Sequence, residues 1–98
     1  MSEYQRTVYD NICVDLIGRG WELGEGPVNF WTSPLIPKAE MRLKQEHHLI
    51  RIEGVYRFRS DARTQYWDEV TTLEDGIDVL HVIIDLLKME ERKDAGIR

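Results

Sequence analysis

The sequence contains a single cysteine, Cys13, so no disulfide can form within the chain and packing alone must hold the fold. Three prolines and seven glycines among 98 residues are too few for a fibrous or low-complexity chain, and 42% hydrophobic residues is a globular composition. Long apolar runs are missing as well. The longest uncharged apolar stretch, Val79 to Ile84, contains His81 and falls far short of the roughly 20 residues that span a bilayer. The opening Met-Ser-Glu-Tyr-Gln lacks the basic-then-apolar layout of a secretory signal. With one unpaired thiol and no such signal, the expectation is a cytoplasmic protein without a membrane anchor.

Positive charge is also scarce. A net charge of −5 argues against a surface that holds phosphate all round, because such binding is driven by Lys and Arg. The charge is nonetheless unevenly spread: residues 1–37 carry −3, residues 38–63 carry +3 and residues 64–98 carry −5. The middle of the chain is basic and its ends are acidic.

What is present is amphipathic periodicity. Ser2 with Gln5 reads as a capping box, followed by Tyr4, Val8, Ile12 and Leu16 at helical spacing, with Gly18 and Gly20 as the stop. The spacing predicts a helix over 3–17. Short strands are predicted over 21–23 and 28–32 around the turn Gly24-Glu25-Gly26-Pro27, with an extended edge connection over 33–38 set by Pro34 and Pro37. Met41 and Leu43 alternate with Glu40, Arg42 and Lys44, and Ile50, Ile52, Tyr56 and Phe58 with Arg51, Glu53, Arg57 and Arg59. This predicts a hairpin of half-buried strands over 39–45 and 49–59, turning at Glu46-His47-His48, and then a last strand over 65–70. Thr71 with Glu74 reads as a second capping box opening a helix with Leu73, Ile77, Leu80, Ile84 and Leu87 on its core side. On that helix Glu74, Asp78, His81, Asp85 and Lys88 share a polar arc, while Val79, Val82, Ile83, Leu86 and Met89 widen the apolar arc beyond one stripe. From about residue 90 a charged tail is expected to fray.

The expected architecture is α+β, one compact domain over 1–98. Two helices, N- and C-terminal, pack on one face of an antiparallel sheet of four to five strands in the order α-β-β-β-β-(β)-α. Double-stranded RNA-binding domains share that element order. They resemble this chain in nothing further, since Thr71-Thr72-Leu73-Glu74-Asp75 puts two carboxylates where those domains hold phosphate with lysines.

No pattern here carries catalysis. His47-His48 is an adjacent pair in a turn, without metal-ligand spacing around it. Asp78, His81 and Asp85 share one helix face, as the side chains of any solvated helix do. Cys13 lies inside a helix beside Asp10 and Asp15, which disfavours a thiolate. The chain is therefore expected to be a non-enzyme without cofactor or metal, and recognition is left to three surfaces. The first is a basic sheet face of Arg42, Lys44, Arg51, Arg57 and Arg59, with Arg63 in the turn after it; its charges of both signs also suit a merely solvated face. The second is aromatic: Trp31, Tyr66 and Trp67, of which one member of each adjacent pair, Phe30-Trp31 and Tyr66-Trp67, must face away from the core. The third is acidic: Asp68, Glu69, Glu74, Asp75, Asp78 and Asp85. These suit a small protein-binding module, such as a virus-encoded or accessory inhibitor or adaptor of a larger complex. The alternative is single-stranded nucleic acid or a nucleotide on the basic face. Val82 and Met89 leave room for a homodimer through the second helix.

Overall fold

In a computed structural model, which describes residues 2–26 and 29–96, two helices pack on one face of a five-stranded antiparallel sheet, an α+β fold. The elements are α1 (Glu3–Gly18), β1 (Glu22–Leu23), β2 (Phe30–Ser33), β3 (Ile36–Gln45), β4 (Ile50–Arg57), β5 (Arg63–Val70) and α2 (Leu73–Gly96). The sheet is a simple meander, β1-β2-β3-β4-β5, so sequence neighbours are also spatial neighbours and β1 and β5 are its edges. Among the described residues, no helix is long and apolar enough to cross a membrane.

Local chemistry accounts for the helix ends. Ser2 caps α1 by accepting the Gln5 N–H, while the Gln5 side chain spans the fold and donates to the carbonyls of Glu46 and Leu49, tying α1 to the β3–β4 turn. The C-terminus of α1 closes as a Schellman motif: Gly20 sits at φ +89°, its N–H donates to Ile17 C=O, and the Trp21 N–H donates to Leu16 C=O. That reversal delivers Trp21 into the core.

Period-two alternation sorts the sheet. Trp31, Ala39, Met41, Leu43, Ile50, Ile52 and Tyr56 face the helices and are buried with Val8, Ile12, Leu16, Leu80, Ile83, Ile84 and Leu87 in one cluster. Gly54 lies among them because a Cβ there would run into Ile83 and Leu87, so its absence lets α2 settle on β4.

Four expectations are corrected. Residues 36–38 are strand, not a connection: Pro34-Leu35 forms a tight turn that pairs Ser33 with Ile36, and Pro37 is tolerated because β4 pairs with β3 only from Ala39 onward. The cap of α2 is Thr72, whose hydroxyl accepts the Asp75 N–H, one residue beyond the Thr71–Glu74 box. The tail from 90 does not fray, since α2 stays regular to Gly96 and Glu90 and Asp94 are buried. The strand over 49–59 is shorter, ending at Arg57, and Phe58 to Ala62 form the turn with Asp61 at φ 69°. Val28 and Pro27, expected in strand and turn, lie outside the described residues.

The end of α2 is held by its own polar cluster. The Asp94 carboxylate accepts hydrogen bonds from Lys38 Nζ (3.1 Å), the Tyr56 hydroxyl (3.0 Å) and the Arg59 N–H (3.3 Å). Burial raises the Asp94 pKa, but these three donors outweigh it and hold the carboxyl below its ordinary value. Burial, then the bond to Asp94, pushes Tyr56 up to about 12. One turn earlier, Glu90 accepts the Tyr66 hydroxyl at 2.9 Å.

Candidate functional site

The sheet face away from the helices carries the basic row. By register Arg42, Lys44, Arg51, Arg57 and Arg63 lie on it, Arg63 as the first residue of β5 and not in the turn expected for it, whereas Arg59 leaves the row because β4 has ended and its backbone has turned toward Asp94. Most of this row is neutralised internally. Arg42 pairs with Glu40, and Glu53, almost fully buried, takes both Arg51 Nε (2.6 Å) and Lys44 Nζ (3.3 Å) on one oxygen. The Arg51 guanidinium also lies 3.9 Å from the Trp67 ring centroid, so one aromatic face is already occupied. Arg57 and Arg63 sit opposite one another across the β4–β5 ladder and have no ion-pair partner among the described residues.

The aromatics divide as their parity requires. Trp31 faces the helices, paired with Met41, and is buried, which removes it from recognition; Trp67 is half exposed, and Tyr66 is half-buried with its hydroxyl on Glu90. The acidic residues scatter. Glu74 and Asp75 occupy the first turn of α2, where the helix dipole favours carboxylates, and Asp85 pairs with His81 on the solvent face. Asp68 and Asp78 border a common groove.

Both line a groove of about 280 Å³ between β5 and α2, with Tyr66, Trp67 and Asp68 on the strand and Asp78, Val79, Val82, Ile83 and Leu86 on the helix. The groove follows from where α2 lies: it packs against β3, β4 and the edge strand β5, and among the described residues no further element covers that flank of its wide apolar arc. Val82 is 55% exposed for this reason. The strand beneath is equally incomplete. The Phe58 N–H donates to Ala62 C=O at 2.8 Å, so 58/62 is a hydrogen-bonded pair; by antiparallel alternation 56/64, 54/66, 52/68 and 50/70 are the others. The N–H and C=O groups of Arg63, Gln65, Trp67 and Glu69 therefore point away from β4. Consistently, the Glu69 N–H finds its acceptor in the neighbouring Asp68 carboxylate, at 2.8 Å. Among the described residues, nothing pairs with the outward groups of Arg63, Gln65 and Trp67.

The histidines and Cys13 lie outside this groove. His81 is exposed, with Nε2 3.2 Å from Asp85 and Nδ1 3.4 Å from Arg19, and Asp78 turns to the groove instead. Burial, then the nearby Asp10, pushes the Cys13 thiol up to about 11, which makes it a poor nucleophile. His47 and His48 touch edge-on in an exposed turn. Among the described residues, no three or more His, Cys, Asp or Glu side chains are grouped to hold a metal ion.

Sequence reasoning missed the open backbone at Arg63, Gln65 and Trp67, because alternation reveals which face a side chain takes but not which strand lies at the edge. It did find the signal for the helix side of the groove, the surplus apolar positions of α2. Comparison with known proteins adds no identity: no family model, curated protein or solved structure matches this chain.

Proposed function

We propose that this chain is a small non-catalytic protein-binding module, of the inhibitor or adaptor kind, that docks its partner in the β5–α2 groove. The observation carrying this reading is an apolar helix flank placed beside unpaired strand backbone, two features that a protein partner satisfies together. Nucleic-acid binding on the basic face has less support, because Arg42, Lys44 and Arg51 already have carboxylate partners and Trp67 is stacked by Arg51. Photo-crosslinking tests the choice. A benzophenone side chain placed at Val82 is expected to give a discrete protein adduct in extract of the source cells, absent when the same group stands at Lys44. The docking reading fails if position 82 yields no adduct above position 44.

A further inference from the structure

Resting on that docking reading, we infer that the groove takes an extended segment of another protein as a sixth strand on β5, with an apolar side chain over Tyr66 and, two residues away, a Lys or Arg facing Asp68 and Asp78. Backbone geometry selects a strand. Arg63, Gln65 and Trp67 present N–H and C=O groups at every second residue, which is the spacing an added strand satisfies and a helix does not. Side-chain parity then fixes what that strand carries. Its residues beside Tyr66 and Asp68 point to the helix side of the sheet, the first into Val79, Val82, Ile83 and Leu86, the second toward the acidic rim.

The rim decides the partner's charge. Asp68 and Asp78 are exposed and make no ion pair among the described residues, and Asp68 spends one oxygen on the Glu69 N–H. A second copy of this chain suits the groove poorly: pairing β5 with itself about Tyr66 sets Arg63 against Glu69 on the outer face, but on the helix side it sets Thr64 of one copy beside Asp68 of the other and so brings no β5 cation to the acidic rim. A basic segment supplies what is missing.

Selection from a phage-displayed library of random linear nonapeptides, with the full chain as bait, tests this. Enriched peptides should place Lys or Arg and an aliphatic residue two positions apart. Binding of their synthetic forms, read from the fluorescence of exposed Trp67 against the buried Trp21 and Trp31, should weaken at least about tenfold in Val82→Glu and in Asp78→Lys. Gln65→Pro, which deletes an outward N–H and leaves the β4 ladder intact, should weaken it similarly, and added salt should weaken it further. Circular dichroism confirms that each variant is folded. Strand addition is overturned, with groove docking left standing, if the enriched peptides depend on Val82 but show apolar residues at helical spacing or tolerate Gln65→Pro. A dimer in sedimentation that Val82→Glu abolishes overturns the basic partner in favour of a second copy. Peptides indifferent to Val82, together with no crosslink from that position, remove both proposals.

Discussion

The two edges of the sheet are finished differently. At β1 the edge is two residues long, and since Gly24 N–H bonds to Phe30 C=O, only Leu23 turns its backbone outward. At β5 the edge runs eight residues without a proline, and among the described residues its one local closure is the Asp68 carboxylate on the Glu69 N–H. Short strands, prolines and inward charges are the usual means of keeping sheet edges from pairing. One edge is closed by brevity, whereas the other is open beside an apolar helix flank, so exposure here is local to the groove.

The largest effect should come from disturbing the seat of α2. Gly54→Val would thrust a branched side chain into Ile83 and Leu87, and overpacking of this kind costs about 3 kcal/mol, the upper end of its usual range. For a domain of this size that lowers Tm by more than about 10 °C, measurable by calorimetry. Because Ile83 also lines the groove, peptide binding should fall with it.

Proline substitution sharpens the distinction within β5. Thr64→Pro removes an N–H that bonds to β4 and leaves a buried carbonyl unpaired, at a cost of about 1–3 kcal/mol in urea titration. Gln65→Pro, one residue along, removes an N–H that faces outward and should cost well under that. Equal losses at the two positions would mean that the outward set of groups has been misassigned.

How much of this was legible in sequence follows from what side-chain spacing encodes. The helices and the β3–β4 hairpin could be read from their periods, and Val82 was recognised as surplus to a single core face. Edge order was not legible, since Phe30-Trp31 and Tyr66-Trp67 have the same local pattern although one tryptophan is buried and the other exposed. The tail beyond residue 90 is not legible either, because Glu90 and Asp94 read as solvated charge until their partners Tyr66, Tyr56 and Lys38, from three different strands, are in place. Pro37 misled for the same reason: whether its missing donor matters depends on where β4 ends.

One strand in from the open edge, Glu53 gathers Arg51 and Lys44 on one carboxylate oxygen while its other oxygen, also buried, has no hydrogen-bond partner among the described residues, and Glu53→Gln measures how firmly that pairing holds. Losing that charge loosens Arg51 and Lys44, which can both reach water, so the cost should be about 1.5 kcal/mol, the lower end of the range for a hydrogen bond to a charged group. Groove binding should be unchanged. Asp94 adds a pH signature at the other end of α2. Its pKa is depressed in the folded state, so its contribution is full above the ordinary carboxyl value and is lost as pH falls through the folded one. Urea melts from about pH 6 to about pH 2 should show the wild type losing its margin over Asp94→Asn toward the acid end.

The smallest effect belongs to the closed edge. Leu23 is 55% exposed, about as exposed as Val82, so exposed apolar area alone would make the two sites equivalent. They differ in the backbone beside them: β1 offers the outward groups of one residue, while β5 offers those of Arg63, Gln65 and Trp67 in a row. Leu23→Glu should therefore leave stability within about 0.5 kcal/mol and peptide affinity unaltered, where Val82→Glu leaves stability similarly intact and removes binding. If Leu23→Glu weakens the same peptides, the decisive feature is scattered apolar surface, and the pairing capacity of β5 has no part in recognition.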